Sequence, residues 1–239
     1  MDTTDPFAAN YPAPTATRPL LGLTVLVVED SRYACEAMRL LCLRSGARIR
    51  RADCIRSARR HLQVYRPSVV VVDMGLPDGN GADLIAELAQ VETERSIVLG
   101  TSGDDALEAE AMAAGAQGFL GKPITSLAVF QQMVLAALPV NRQPAGLRVI
   151  EDEQVSPDEI AYHDDINYAA ELLDNAPNDH ALDYIAQFLE GVARSVADDR
   201  MENAARALAL RRAAGETATS ETAHIAGLIQ QRLATKIAI

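Results

Sequence analysis

The sequence has few of the features that secreted and membrane proteins carry. Its 239 residues include no tryptophan and only three cysteines. This odd count without paired spacing predicts neither a disulfide framework nor a zinc motif, and we expect Cys35, Cys42 and Cys54 to be apolar core residues. No run approaches the roughly 18 apolar residues of a membrane span, and residues 1–21 lack the basic start and apolar region of a signal peptide. These absences favour a soluble, cytoplasmic protein.

Positive charge is also scarce. The chain has 22 Lys and Arg against 33 Asp and Glu, which gives a net charge of -11. From Gln143 onward there are 17 acidic residues against 8 basic ones, so most of the excess lies in the C-terminal half. Binding to the phosphate backbone of nucleic acid or to an anionic membrane requires an excess of Lys and Arg. The composition therefore predicts neither DNA nor a membrane as a partner.

The N-terminal half alternates short β-branched runs with helical patterns. This alternation predicts an α/β fold in which a doubly wound, five-stranded parallel sheet is covered by helices on both faces. The predicted strands are Thr24–Val28, Ala47–Arg51, Val69–Asp73, Ser96–Thr101 and Ala116–Gly121. The predicted helices are Ser31–Ser45, Arg56–Tyr65, Gly81–Val91, Asp104–Ala114 and Thr125–Leu138.

Polar residues stand at the ends of four of these runs. Ligands of parallel sheets bind at the carboxyl edge, so we expect these side chains to meet there. Three carboxylates without compensation would repel one another, which predicts a hard divalent cation, best matched by Mg²⁺. In this scheme Asp73 is a nucleophile for a phosphoryl group, Lys122 a fixed positive charge and Thr101 a hydroxyl that follows the phosphoryl oxygens. The full set is Glu29, Asp30, Asp73, Thr101 and Lys122.

The stretch from Leu23 to Leu138, about half of the chain, resembles the receiver domain of two-component response regulators. The resemblance rests on the five residues above and on Pro123, which follows the lysine. It implies a flavodoxin-like fold and phosphorylation of Asp73 by a sensor histidine kinase or a phosphotransfer protein. It also implies Mg²⁺ ligation by Glu29, Asp30, Asp73 and the carbonyl of Gly75, and a switch formed by Thr101 and Phe119.

Each residue taken alone has a simpler interpretation. Glu29 and Asp30 could be a charge pair favourable to a helix dipole, and Phe119 could be a core aromatic. The five positions together favour the phosphorylation site over a receiver fold that has lost phosphorylation. Gly75 departs from the larger polar residues often found there in the family, and Gly103 is equally small. Such an open site is compatible with fast hydrolysis or with easy access for a phosphatase.

The C-terminal half is predicted to be helical and to follow a linker. We expect a flexible tail over residues 1–22, a receiver over 23–139, a linker over 140–155 and a helical output or dimerisation segment over 156–239. Three helices are predicted in that segment. They run from Ser156 to about Asn175, from about Asn178 to Ala214, and along the stripe that contains Ile225, Leu228, Ile229 and Leu233.

The helix predicted before the linker has no charged residue. An outer helix of this fold should show a polar face to water, so its apolar residues Val129, Met133 and Ala136 predict a contact surface. The candidate partners are a second protomer and the C-terminal helices, and we favour a homodimer in which the helical segment contributes most of the contact. The sequence thus predicts a non-enzymatic signalling switch that acts on a downstream protein through its helical segment. The alternative is a transcription factor with an atypical helical output domain.

Overall fold

The computed structural model describes residues 13–91, 96–144, 153–175 and 179–235. It contains a five-stranded parallel sheet with strand order β2-β1-β3-β4-β5, so the predicted fold class is confirmed. The strands are β1 Thr24–Val28, β2 Arg48–Ala52, β3 Val69–Asp73, β4 Ile97–Ser102 and β5 Phe119–Gly121. The helices around the sheet are α1 Arg32–Ser45, α2 Ile55–Val64, α3 Gly81–Ala89, α4 Glu108–Ala114 and α5 Leu127–Ala137.

The sheet lies between two layers of helices because successive side chains of a strand point to opposite faces. In β1, Val25 and Val27 pack with α1 and α5, whereas Leu26 and Val28 pack with the layer formed by α2, α3 and α4. All five residues of β3 are buried. This double burial explains the uninterrupted apolar runs and leaves the carboxyl ends of the strands together at one edge.

Two local signals in the sequence set the bounds of α1. The Ser31 hydroxyl caps its first turn by accepting a hydrogen bond from the Ala34 amide at 3.0 Å, which satisfies a donor that the helix leaves free. Gly46 ends the helix in the left-handed region at φ 84°, where glycine avoids the clash of a Cβ atom. Within this helix Cys35 and Cys42 are buried, as predicted, whereas Cys54 before α2 is partly exposed.

Four helices form the C-terminal bundle, where the sequence predicted three. They are α6 Glu159–Asp174, α7 Asp179–Ser195, α8 Asp199–Ala213 and α9 Thr219–Ala234. The prediction of one helix from Asn178 to Ala214 is wrong, because Ala197 has a φ of 55° and turns the chain between α7 and α8. Its predicted start, Asn178, lies outside the described residues.

Asp198 stabilises this turn and links three helices of the bundle. Its carboxylate caps α8 through the Met201 amide at 3.2 Å and accepts hydrogen bonds from the Tyr162 hydroxyl at 2.9 Å and from Arg232 at 2.6 and 2.7 Å. The bundle therefore has polar connections as well as its own buried apolar core, which includes Ile166, Ile185, Leu189, Met201, Leu208 and Ile225.

The packed part of the α/β domain extends beyond the predicted bounds. Leu20 is fully buried, so the ordered core begins before residue 23. In the segment predicted as a linker, Val155 is buried and its amide donates to the Thr125 carbonyl at 2.8 Å. The predicted tail over residues 1–12 and the linker over 145–152 lie outside the described residues. None of the helices described here is long and apolar enough to cross a bilayer.

The bundle packs against α1 through α6 and α7, and α7 also contacts the turn after β3. Helix α5 buries Leu127, Phe130 and Val134 against the sheet. Of the residues predicted to form a contact surface, Val129 is 54% exposed, Ala136 is exposed and Met133 is half-buried. The bundle therefore leaves the predicted contact surface on α5 uncovered, so the alternative in which the C-terminal helices pack on it is not observed in the described part of the chain.

Candidate functional site

The carboxyl edge of the sheet brings the predicted polar residues together. Glu29 and Asp30 follow β1, Asp73 ends β3, and Lys122 follows β5. Glu29, Asp30 and Asp73 each contribute a carboxylate oxygen to a group whose members lie within 4.8 Å of one another. The Lys122 Nζ atom lies 2.6 Å from Glu29 Oε2 and 3.1 Å from Asp73 Oδ2. Three carboxylates and one ammonium therefore share one small, largely buried space.

The site contains three carboxylates but only the single ammonium of Lys122 beside them. Burial raises the pKa of Glu29 to about 7, although Lys122 opposes the shift. Burial also raises the pKa of Asp73 to about 7, and the neighbouring charge of Glu29 adds to this shift. The pKa of Asp30 is likewise raised to about 7, by burial and by the charge of Asp73. Burial alone would lower the pKa of Lys122, but Asp73 and Glu29 outweigh it and leave the pKa raised. One ammonium cannot neutralise three carboxylates, so the donor set fits an additional divalent cation.

The two predicted switch residues lie on adjacent strands beside this site. The Thr101 hydroxyl, which is buried, donates a hydrogen bond of 2.7 Å to the carbonyl of Leu120 on the neighbouring strand β5. Phe119 is also buried and packs in the helix layer formed by α2, α3 and α4. A rotation of the Thr101 hydroxyl toward Asp73 would therefore break its hydrogen bond to the Leu120 carbonyl of β5.

The structure adds residues to this site that the sequence did not reveal. Asp165 of α6 is only 1% exposed. Its carboxylate accepts hydrogen bonds from the Ser31 hydroxyl at 2.7 Å and from the amides of Arg32 and Tyr33 at 2.6 and 3.1 Å. These groups form the N-terminus of α1, which attracts negative charge. The bundle thus supplies the anion that caps the helix next to Asp30.

Helix α7 reaches the same site from the bundle. The Tyr184 hydroxyl donates a short hydrogen bond to Asp30, and the Arg194 guanidinium donates to the Gly103 carbonyl after β4. Between them, Gln187 lies against Gly75, so a Cβ atom added at Gly75 would overlap its Nε2 atom. A cavity of about 590 Å³ remains between the bundle and the sheet edge, lined by Asp73, Lys122 and Gln187 among others.

A pattern in the sequence could have indicated α7. Tyr184, Gln187, Gly191 and Arg194 are spaced by three, four and three residues, which places them on one face of a helix. Three of these four residues are polar, whereas Ile185, Leu189 and Val192 of the same helix belong to the bundle core. Asp165 offered no such signal, because the adjacent Asp164 is identical in type and remains at the surface.

The protein-family model described as the response regulator receiver domain matches residues 25–134 of this chain. The KDP operon transcriptional regulatory protein KdpE of Escherichia coli is 30% identical over 99 residues, which are 41% of this chain and 44% of that protein. Transcriptional regulatory protein KdpE of Mycobacterium tuberculosis is 31% identical over 136 residues, 56% and 60% of the two chains. The chain spans about half the length of these relatives.

A smaller relative and two solved structures are also similar. Chemotaxis protein CheY of Thermotoga maritima is 28% identical over 105 residues, 43% of this chain and 88% of that protein. A receiver domain of a histidine kinase from Syntrophus aciditrophicus is 22% identical, covers 54% of this chain and 99% of its own, and has a TM-score of 0.45. A receiver domain of sensor histidine kinase PA1611 from Pseudomonas aeruginosa, crystallised with magnesium in its active site cleft, is 20% identical over 48% and 95%, with a TM-score of 0.43.

Proposed function

Because residues 25–134 form a receiver domain of the response-regulator family, we propose that this chain accepts a phosphoryl group on Asp73 from a sensor histidine kinase or a phosphotransfer protein. The observation that carries the proposal is the meeting of three carboxylates and Lys122 at the carboxyl edge of the sheet. Asp73 is the acceptor because it alone ends a central strand and contacts the lysine as well as the acidic pair. Its only chemistry would be its own phosphorylation and dephosphorylation.

The residues divide the work of phosphoryl transfer between them. Asp73 supplies the nucleophilic oxygen, and Lys122 supplies a fixed positive charge that stabilises the transferred group. Mg²⁺, held by Glu29, Asp30, Asp73 and the Gly75 carbonyl, would neutralise the remaining negative charge as the phosphoryl group arrives. The excess of carboxylates over the single ammonium supports this cation.

The switch would pass through Thr101 and Phe119. A phosphoryl oxygen on Asp73 offers the Thr101 hydroxyl a charged acceptor in place of the Leu120 carbonyl that it uses here. The inward move vacates space for the Phe119 ring and changes the surface formed by α4, β5 and α5. Support for the proposal comes from the adjacency of Thr101 and Phe119 on paired strands.

The output is proposed to be a change in protein–protein contacts rather than direct binding of DNA. The bundle touches the phosphorylation site through Asp165, Tyr184 and Arg194, so a charge added at Asp73 would act directly on its docking. The acidic C-terminal half argues against a phosphate-backbone contact. We also propose a homodimer through Val129, Met133 and Ala136 of α5.

A second candidate function is a transcription factor with an atypical output domain. It is favoured by the two relatives that are named as transcriptional regulators. Binding of the full-length chain to random duplex DNA at low salt, beside a basic control protein, separates the two candidates. Binding comparable to that of the control would favour the transcription factor.

Phosphorylation of the full-length chain tests the main proposal. Acetyl phosphate and Mg²⁺ should give one base-labile acyl phosphate, detected by mass spectrometry and mapped to the peptide that contains Asp73. The variant Asp73→Asn should stay unlabelled. Asp78→Asn is a suitable control, because that carboxylate caps α2 instead, and its labelling should equal that of the parent. Equal labelling of Asp73→Asn and the parent would rule out the acceptor.

A further inference from the structure

Helix α7 has two faces with different chemistry. One face carries Ile185, Leu189 and Val192, which are buried in the core of the bundle. The other carries Tyr184, Gln187 and Arg194, which point toward the sheet edge and line the cavity there or bond to its loops. Of these three residues, Tyr184 also packs against the core of the bundle. The polar face is available for a task at the phosphorylation site.

Gln187 occupies space that belongs to the phosphorylation site. A Cβ atom at Gly75 would overlap Gln187 Nε2 and lie 2.7 Å from its Cδ atom, so any side chain at position 75 would displace the amide. The backbone amide of Gly75 in turn hydrogen-bonds to the Asp73 carboxylate. The Gln187 amide thus fills the position of the missing side chain two residues after the acceptor, in the cavity that Asp73 and Lys122 line.

Contacts before and after Gln187 anchor this part of α7 at the site. One turn earlier, Tyr184 is bonded to Asp30, and two turns later Arg194 is bonded to the Gly103 carbonyl. Arg194 is itself oriented by Glu190 at 2.7 Å and by Glu202 at 3.0 Å. A side chain on a helix that is anchored at both ends is positioned more accurately than one on a loop.

We propose that the Gln187 amide orients the water molecule that hydrolyses the acyl phosphate on Asp73. The inference rests on the proposed phosphorylation of Asp73. An amide offers both a donor and an acceptor to one water molecule, and glutamine performs this task in other phosphoryl-transfer proteins. The bundle then sets how long the signal lasts.

The reaction is a simple hydrolysis. The water oxygen attacks the phosphorus atom, and the bond between phosphorus and the Asp73 oxygen breaks. The electron pair of that bond remains on Asp73, which returns to a carboxylate. Both protons of the water leave with the phosphate as dihydrogen phosphate. Gln187 is not consumed, because it holds the water only by hydrogen bonds and is therefore a positioning residue.

The lifetime of the acyl phosphate on the full-length chain tests the proposal. The chain is phosphorylated with acetyl phosphate and Mg²⁺, the donor is removed by rapid desalting, and loss of the acyl phosphate is followed by mass spectrometry. Gln187→Ala should slow hydrolysis by about 10- to 100-fold. Gln187→Met keeps the volume but not the hydrogen bonds and should be equally slow. Gln230→Ala, an exposed glutamine on α9, should hydrolyse like the parent.

A double-mutant cycle separates positioning from packing. Gly75→Ala should slow hydrolysis in the parent, because its Cβ displaces the amide, and should have little further effect in the Gln187→Ala background. Unfolding temperature and the initial extent of labelling should remain near parental values for Gln187→Met.

Two kinds of result would overturn the inference. Hydrolysis that is unchanged or faster in both Gln187→Ala and Gln187→Met would mean that the amide fills space or shields the phosphate. A parent chain that is not labelled at Asp73 would remove the proposed function itself and this inference with it. Labelling of the parent with unaltered lifetimes in the variants leaves the proposed function intact and removes only the role of Gln187.

Discussion

Asp165 of the bundle accepts a 2.7 Å hydrogen bond from Ser31, the residue that caps helix α1. The two residues are 134 positions apart in the chain. Ser31 lies next to Asp30, so the bundle is attached directly beside the proposed metal ligands. We expect this contact to couple the state of the proposed phosphorylation site to the docking of the bundle.

Replacing Asp165 should loosen the bundle from the α/β domain. Asp165→Ala leaves the Ser31 hydroxyl and the amides of Arg32 and Tyr33 without their charged acceptor, a loss of about 2 kcal/mol or more. Hydrogen–deuterium exchange at the start of α1 should become at least about tenfold faster. Asp164→Ala is the matched control, because Asp164 makes only a 3.8 Å surface ion pair with Arg32. Equal protection in the two variants would contradict the prediction.

Removing the Tyr184 hydroxyl should strengthen Mg²⁺ binding. That hydroxyl occupies an oxygen of Asp30, so Tyr184→Phe frees the oxygen for the cation. A hydrogen bond to a carboxylate of about 1.5 kcal/mol or more corresponds to an affinity gain of at least roughly tenfold, measured by titration calorimetry. Tyr162→Phe, which loses a hydrogen bond to Asp198 inside the bundle, should leave the affinity unchanged. Weaker binding by Tyr184→Phe would mean that the hydroxyl helps to hold Asp30 for the metal.

Thr101 should be required for the structural response to phosphorylation but not for the phosphorylation of Asp73. Thr101→Ala removes the hydroxyl that is bonded to the Leu120 carbonyl, so the variant should accept phosphate on Asp73 yet show no change in hydrogen–deuterium exchange in β5 and α5 on phosphorylation. Thr101→Ser retains the hydroxyl and should respond like the parent. The coupling is ruled out if Thr101→Ala and the parent show the same phosphorylation-dependent exchange.

Acidic pH should lower the stability of the bundle because it protonates Asp198. Hydrogen bonds from Arg232, with smaller help from Tyr162, hold the pKa of Asp198 at about 2, below its ordinary value of 3.8. A carboxyl whose pKa is lower in the folded state stabilises fully above the ordinary value, and this stabilisation is lost as the pH falls toward 2.

Denaturation of Asp198→Asn beside the parent measures this contribution. After allowance for solvent screening, the parent should be about 1 kcal/mol more stable at pH 7, and the difference should shrink between pH 4 and pH 2. Asp199→Asn, beside it in the first turn of α8, is the control. A difference that does not change with pH would exclude the linkage.

The α5 surface should control assembly. Val129 is 54% exposed, so Val129→Glu should convert the proposed homodimer to monomer in sedimentation velocity without disturbing the core. Leu210→Glu, at a 67% exposed apolar position on α8, should leave the sedimentation coefficient of the parent unchanged. A parent chain that is monomeric at high concentration would remove the homodimer.

The α/β domain was predictable because its signals are local. A central strand such as β3 is apolar along its length, a cap such as Ser31 precedes its helix, and polar residues at strand ends share one edge by the geometry of parallel sheets. Within the site, the meeting of Glu29, Asp30, Asp73 and Lys122 follows from that geometry alone.

The bundle was less predictable because its decisive contacts are distant in the chain. The turn at Ala197 contains neither glycine nor proline, so the pattern from α7 runs into α8 without a visible break. Asp164 and Asp165 are the same residue type, and only the tertiary contact with α1 makes one of them a surface charge and the other a buried cap. The spacing of the polar residues on α7 can be read from the sequence, but their contact with the sheet edge cannot.

The covered sheet edge has a kinetic consequence. Helices α6 and α7 belong to the same chain as Asp73, so their local concentration at the site is on the order of millimolar. A phosphodonor protein must compete with a surface that is held at this concentration. Its access then depends on how often the bundle opens, and labelling by such a donor reaches a rate that no longer rises with donor concentration. If Asp73 accepts phosphate as proposed, we expect its phosphorylation at saturating donor concentration to be limited by the first-order opening of the bundle.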